Sequence, residues 1–299
     1  GEAAWIALWY GGRELARLDD SPACWELPKT YERDPLPTAW GVWVGPGASV
    51  DELLAFGRQL QASGRRPAAT VYGNNDAANV LYDDGWLVAW RPWYGDCPNT
   101  LLPAEAEATR RWFEAVSQAA YVRYHYLVLN NECLWPDVDY YRRYLDQTLD
   151  LAVAYGMGGG LVPHVAGAGA YELNWYPVLY EAHARLAAVG GAYGTNLYPV
   201  NEDGPLCEKT SQTQWTTYRY ELYRPLLPSD LPLVVTEFAR GWGASPPDWA
   251  DIACFVHKTD GDFAFATAWY AALPLMPWAD ATLLGQLASL GDVYRNIPQ

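Results

Sequence analysis

Eight successive repeats of a short apolar run, a polar or glycine-rich stretch and a helix-period segment predict an α/β chain closed as a (β/α)8 TIM barrel. Two further observations agree. The repeats fill residues 38–294, close to the roughly 250 residues of such a barrel. The rival architecture, a doubly wound open sheet, would carry a G-x-G-x-x-G turn between a strand and a helix. The one glycine run, Gly156–Gly160, follows a helix and reads as its C-terminus and loop.

Each unit has its own local signals. Thr38–Pro46 alternates apolar residues as a strand, and Ser49 with Glu52 forms a capping box for a helix over Ser49–Ser63. Pro67–Tyr72 is the second strand, followed by one short helix around Asp76–Tyr82. Gly85–Trp93 is the third, and the helix Pro103–Tyr121 places Glu105 and Glu107 in its first turn, where the helix dipole favours them. Tyr126–Asn130 and a helix from Asp139 to Tyr155 form the fourth unit, Gly160–Val165 and Tyr176–Val189 the fifth. Ala192–Tyr198 with Gln212–Leu226, Leu233–Phe238 with Pro247–Lys258, and Phe263–Tyr270 with Thr282–Tyr294 complete the eight. Residues 1–37 stand outside the repeat. Ala4–Tyr10, a turn at Gly11–Gly12 and Arg13–Leu18 read as a β-hairpin extension, either a plug of the barrel floor or the remnant of an upstream domain, with the plug favoured, leaving 38–299 as the barrel.

Composition narrows the function. The chain has 299 residues, 51% hydrophobic and 18% charged, which excludes a disordered or coiled-coil chain. A net charge of -15 argues against nucleic acid as a partner, because such binding neutralises phosphates with Lys and Arg. Trp 16 and Tyr 22 against Phe 6 is an unusual aromatic balance. Rings with a polar edge suit wet, amphipathic ligands such as sugars, so composition points to an oligo- or polysaccharide partner. The five cysteines (Cys24, Cys97, Cys133, Cys207, Cys254) form no C-x-x-C pair, leaving room for one or two bridges and no zinc signature. The histidines show no H-E-x-x-H spacing, and no metal or organic cofactor is expected. The most apolar long stretch, Leu151–Tyr171, is interrupted by Pro163, His164 and several glycines, so no membrane span is expected. Opening at Gly1 without Met is compatible with a removed signal peptide and a secreted setting. Oligomeric state is not readable.

In a barrel of this class the active site gathers at the carboxyl ends of the strands. Strand four ends Asn130-Asn131-Glu132 and strand seven ends Thr236-Glu237. Two carboxylates on these strands face each other across the mouth, the arrangement that glycoside cleavage requires. These residues resemble the retaining glycoside hydrolases of clan A, whose acid/base Glu follows an Asn on strand four and whose nucleophile ends strand seven. The resemblance implies Glu132 as acid/base, Glu237 as nucleophile and Asn131 as a ligand of the sugar hydroxyl beside the reacting carbon. It also implies Tyr198, at the end of strand six, as a hydrogen-bond donor to the nucleophile, and Trp269 on strand eight as the floor of the sugar subsite. Two positions depart from it: Glu132 is followed by Cys133 where Pro is common, and strand two ends Val71-Tyr72-Gly73-Asn74 where the family carries an Arg.

Trp43, Tyr72, Trp93, Tyr94 and Trp135 fall at or near other strand ends as candidate subsite walls, and His164, ending strand five, is placed in the cleft. A thiol role for Cys133 lacks a His/Asn context, and an inert buried Cys is the reading taken. The function expected is a retaining β-glycoside hydrolase for which no cofactor is needed. Its acid, Glu132, is kept protonated by a low-polarity site and by the negative Glu237, and the carboxylates lie about 5–5.5 Å apart. The competing reading is a non-catalytic carbohydrate-binding barrel of a surface or viral assembly. A cell-wall lytic enzyme would share the chemistry, and a metal-dependent hydrolase would need more His and Asp ligands than the strand ends supply.

Overall fold

A computed structural model describes residues 38–93, 97–156, 160–168, 170–199, 204–211, 213–239, 248–268 and 287, together with the backbone of 6–10 and 13–18. The first two strands, β1 (Ile6–Tyr10) and β2 (Arg13–Leu18), pair antiparallel from Ile6 opposite Leu18 to Tyr10 opposite Arg13. That pairing is the part of the expected N-terminal hairpin that falls among the described residues.

The rest is a (β/α)8 barrel. Strands β3 (Ala39–Val44), β4 (Pro67–Tyr72), β5 (Leu87–Arg91) and β6 (Tyr126–Val128) follow one another in the sheet, every pair parallel. Their helices are α1 (Val50–Ala62), α2 (Asn75–Asp83), α3 (Ala104–Ala119) and α4 (Val138–Ala154). The fifth strand position is split into β7 (Leu161–Val162) and β8 (Val165–Ala166) by Pro163-His164, because proline has no N–H to give to a ladder. β7 pairs with β6 and β8 with β9 (Tyr193–Leu197), so the two halves carry the ring across the break. Helix α5 (Trp175–Ala188) connects them to β9. After β9 come α6 (Tyr220–Tyr223), β10 (Leu233–Phe238), α7 (Trp249–Thr259) and β11 (Phe265–Ala268), and β11 closes the ring on β3. Asp260 locks that seam: it receives both Arg65 guanidinium nitrogens at 2.8 and 2.9 Å and the Thr38 amide at 3.2 Å.

Local signals placed most boundaries. Ser49 Oγ caps α1 by accepting from Glu52 N at 3.4 Å, and Asp137 caps α4 by accepting from Tyr140 N at 2.7 Å. The expected single helix over Gln212–Leu226 is corrected: two 3-10 turns, Thr213–Trp215 and Arg224–Leu226, flank the short α6. Pro225 removes a helix donor, and Thr213, Thr217, Tyr218 and Tyr220 are all buried, so packing on every side overrides a one-faced helix. The eighth strand is described as far as Ala268; Trp269, Tyr270 and, Leu287 apart, the expected helix Thr282–Tyr294 lie outside the described residues.

Strand side chains form two apolar layers. One joins the sheet to the helices, and a second, built from Ala39, Ala68, Leu87, Ala89, Val128, Val162, Val165, Val234 and Phe265, fills the barrel interior. Gly41 sits where β3 and β4 approach most closely, since a Cβ there would stand 1.6 Å from the Ala68 carbonyl oxygen. The interior turns polar toward the carboxyl ends of the strands. Thr70 and Thr267 pair through their hydroxyls at 2.9 Å, and Thr267 donates on to the Thr236 carbonyl. The candidate site stands on this layer.

Candidate active site

The last turns of β9 and β10 build one side. The register of β10 slips against β9 between Val235 and Glu237, so that Val235 faces Thr195 and Glu237 faces Asn196. Strand neighbours ordinarily point to opposite faces. The bulge lets consecutive residues, Thr236 and Glu237, both reach Asn196. Glu237 is only 6% exposed. Its Oε2 accepts from Tyr198 Oη at 2.8 Å and from Asn196 Nδ2 at 3.2 Å, and its Oε1 lies 3.9 Å from Arg91 Nη1 at the end of β5. Burial, and then the charge of Glu132, push the Glu237 carboxyl up to about 7, against the pull of Arg91, Tyr198 and the Trp43 indole.

Glu132 lies beyond β6, across the mouth. Its N–H donates to the Val165 carbonyl at 2.8 Å and its φ is +53°, the only left-handed non-glycine backbone among the described residues. Such a conformation costs on the order of 1–3 kcal/mol and persists where the surroundings over-determine it. Here they do. Cys133 is bonded to Cys97 in the loop after β5, and the Cys133 carbonyl accepts from Tyr171 Oη at 3.3 Å. Cys133 is thus a disulfide partner rather than a free buried thiol, and a second bridge joins Cys207 to Cys254. The low-polarity surroundings expected for Glu132 are also corrected. Glu132 is exposed while Glu237 is buried, because the barrel interior closes around strand seven and the Glu132 loop stands proud of it.

Asn196 joins the two carboxylates. Its Nδ2 lies 2.9 Å from Glu132 Oε1, 3.2 Å from Glu237 Oε2 and 3.2 Å from Asn131 Oδ1. The two carboxylate oxygens are therefore no more than 6.1 Å apart, the sum of their distances to that nitrogen. Inverting glycosidases hold their carboxyls about 6.5–9.5 Å apart to admit a water, and retaining ones about 5–5.5 Å. Asn130, by contrast, is a structural residue: its buried amide donates to the Pro163 carbonyl at 2.8 Å and to Tyr144 Oη at 2.9 Å, holding the split fifth strand against β6.

The aromatic candidates divide. Trp43 is buried beside Glu237, and Tyr72 lies 5.9 Å from it, centroid to centroid. Tyr72 stacks on Trp93 at 4.7 Å and 26°, and the Arg91 guanidinium lies over the Tyr72 ring at 4.6 Å. Trp93 is 58% exposed. A continuous run therefore leads from the Glu237 carboxylate through Arg91 and Tyr72 to an open indole. Trp135 is corrected: it is 4% exposed and stacks on Tyr141 at 4.9 Å, within the helix–strand layer. His164 is corrected too. It is 3% exposed, burial lowers its pKa to about 3, and it hydrogen-bonds Tyr171 Oη, so it backs the Glu132 loop instead of lining the cleft. Tyr94 and Trp269 lie outside the described residues. Much of the aromatic excess is packing: Trp86, Trp90 and Trp112 are core residues, and buried Tyr176 and Tyr193 satisfy each other's hydroxyls at 2.9 Å.

Two residues at this site were not singled out from the sequence. Asn196 precedes Tyr198 by two positions, and strand periodicity puts both on one face, a signal that could have found it. Arg91 ends the third strand, one strand beyond the place where the resemblance puts an arginine, and no local pattern links it to Glu237. Among the described residues no group of three His, Cys, Asp or Glu side chains could hold a metal ion, and no helix is long and apolar enough to cross a membrane.

No family model matches the chain, and neither does any curated protein. Solved structures of similar shape include a plant β-glucan endohydrolase, 17% identical over 77% of this chain and 89% of that one, with a TM-score of 0.47. A β-glucuronidase from Ruminococcus gnavus, in complex with D-glucuronic acid, is 12% identical over 78% of this chain and 42% of that one, with a TM-score of 0.45. MGS-M4, an aldo-keto reductase from a Medee basin deep-sea metagenome library, is 7% identical over 89% of this chain and 92% of that one, with a TM-score of 0.42.

Proposed function

We propose that the chain is a retaining β-glycoside hydrolase that cleaves an oligo- or polysaccharide with Glu237 as nucleophile and Glu132 as acid/base. The observation that carries this reading is the sharing of one donor, Asn196 Nδ2, by both carboxylates at 2.9 and 3.2 Å. Two like charges held that close repel, and the repulsion is relieved when one carboxyl is protonated and the other ionised, which is the state that glycoside cleavage needs. Glu237, surrounded by Tyr198, Asn196 and Arg91, is positioned to attack the anomeric carbon. Glu132, on the open side, gives its proton to the departing oxygen and later takes one from the water that releases the sugar. Carboxylates alone supply this chemistry. Trp93 and Tyr72 offer a stacking platform for a sugar beyond the reacting one.

The test is a screen of the purified protein against aryl β-glycosides and soluble polysaccharides, with product size and anomeric configuration read by NMR. Hydrolysis with β products at first turnover is expected. Binding of oligosaccharide without hydrolysis of any substrate in the panel would replace the enzyme reading with a carbohydrate-binding barrel.

A further inference from the structure

We propose that the cavity between the loops that follow β3 and β4 is a further carbohydrate subsite, taking an uncharged sugar unit of a chain whose neighbouring unit stacks on Trp93. What happens at Glu237 rests on the glycosidase reading above; the cavity rests on its own geometry. Its volume is about 420 Å³, which falls within the roughly 300–1,000 Å³ of small-molecule sites. Pro46 and Gly47 wall it on one side, and Gly73, Asn74, Asn75 and Asp76 on the other. Both loops leave the carboxyl ends of neighbouring strands, the rim that also carries Glu132 and Glu237.

Asn74 builds the frame. Its Nδ2 donates to the Gly45 carbonyl at 3.4 Å, tying the two loops together, and its Oδ1 caps α2 by accepting from Ala77 N at 3.1 Å. Asn75 and Asp76 are left to meet a ligand: both are exposed, and among the described residues neither side chain makes a hydrogen bond. An amide that donates and accepts, beside a carboxylate that accepts, suits the hydroxyl groups of a sugar. The cavity also adjoins the aromatic platform, with Gly73 as the shared wall. A Cβ on Gly73 would stand 2.7 Å from Trp93 Cε3, and its φ of +61° favours glycine as well, so the indole lies directly against that backbone. Tyr72, the preceding residue, stacks on the same indole and lies 5.9 Å from Trp43, which sits beside Glu237. A chain leaving the reacting centre thus passes Tyr72 and Trp93 and crosses Gly73 into the cavity. Charge selects its class. Asp76 is the one charged group among these walls, and the chain carries a net charge of -15, so a uronate or sulfated unit is repelled and a neutral one is not. A ligand that fills the reacting position, the Trp93 platform and the cavity together is a stretch of a neutral polysaccharide.

The test uses Glu237→Gln protein, so that no chain is cleaved. The probes are β-linked gluco-, manno- and xylo-oligosaccharides of graded length up to the hexasaccharide, with oligogalacturonates as the anionic counterpart. Calorimetry gives Kd, and 1H–15N NMR locates the contact without any substitution in the cavity. A hexasaccharide of one neutral series is expected to shift the amide signals of Gly47, Gly73 and Asn75. Asn75→Ala combined with Asp76→Ala should weaken that hexasaccharide about tenfold, as the loss of roughly two hydrogen bonds implies, and the loss should shrink as the chain shortens. Asp76→Asn alone keeps an acceptor while removing the charge, and should lose less than the double variant. Amide signals that stay in place while the hexasaccharide binds overturn the proposal. So do an equal loss at every chain length, tighter binding of the oligogalacturonates, or a panel in which nothing binds. A native protein that hydrolyses no glycoside, yet whose Glu237→Gln form meets these binding terms, would sink the glycosidase reading and leave the subsite standing.

Discussion

Arg91 and Glu237 face each other across the barrel mouth, 3.9 Å apart at Nη1 and Oε1, although their strands β5 and β10 are not neighbours in the sheet. The same guanidinium lies 4.6 Å from the centroid of Tyr72, the residue that ends β4. The cation that faces Glu237 thus comes from the end of the third barrel strand and lies over the aromatic ring that ends the second.

That pairing sets a pH limit. Burial and the Glu132 charge lift Glu237 to about 7, and carboxyls this close lose their protons as a pair, which keeps one proton up to about that pH. On substrates with poor leaving groups kcat/KM is expected to fall as pH rises through about 7. Arg91→Met removes a cation that pulls Glu237 downward, so the alkaline limb should move to higher pH. A pH–rate profile with an unmoved limb would remove Arg91 from the electrostatics of the site.

Glu237 also makes stability depend on pH. Its value is raised in the fold from 4.5 to about 7, so the folded state holds a proton that the unfolded chain has released. The stabilisation is complete below about pH 4.5 and is lost as pH rises through about 7. At about 1.4 kcal/mol per unit, the loss amounts to about 3 kcal/mol. Glu237→Gln should therefore have a higher Tm than the native protein at pH 8 and a similar one at pH 4, measured by thermal melts at both.

The two glutamates should separate in their substitutions. Glu237→Gln abolishes turnover whatever the leaving group. Glu132→Ala slows mainly the second step on an activated aryl glycoside, giving a burst of phenol, and added azide restores turnover with a β-glycosyl azide. An α azide from the Glu237 variant would exchange the two roles.

Trp93 is expected to act on binding at a distance from the chemistry. Its open ring, stacked on Tyr72 and followed by Arg91 and Glu237, suits a sugar beyond the reacting unit. Trp93→Ala should raise KM about threefold to tenfold for a long oligosaccharide, as the loss of one stacked ring implies. A short aryl glycoside should be unaffected. Oligosaccharide kinetics against chain length would show this, and equal effects at every length would place Trp93 outside the substrate path.

How much of this was legible in the sequence differs from residue to residue. The eight units announced themselves through local chemistry: Ser49 and Glu52 at α1, the apolar run of β10, the acidic first turn of α3. Glu132, Glu237 and Tyr198 could be located because a strand end is a local feature and the barrel puts all its strand ends at one rim. Asn196 was reachable by the same period-two argument. The broken helix after β9 was not, since Pro225 and a fully buried set of Thr and Tyr side chains count only once their neighbours are known.

The sequence by itself therefore determined the barrel, the rim and the pair of glutamates on it, because strand and helix periodicity are properties of adjacent residues. The tertiary structure alone decided the rest. It fixed which carboxylate is buried, which cation faces it and which cysteines pair, and it showed that Trp135 and His164 support the site from within the packing layer. Those outcomes turn on register and burial. A one-residue slip in β10 brings Thr236 and Glu237 to the same amide, and Arg91 reaches Glu237 from 146 positions away along the chain only because the barrel closes.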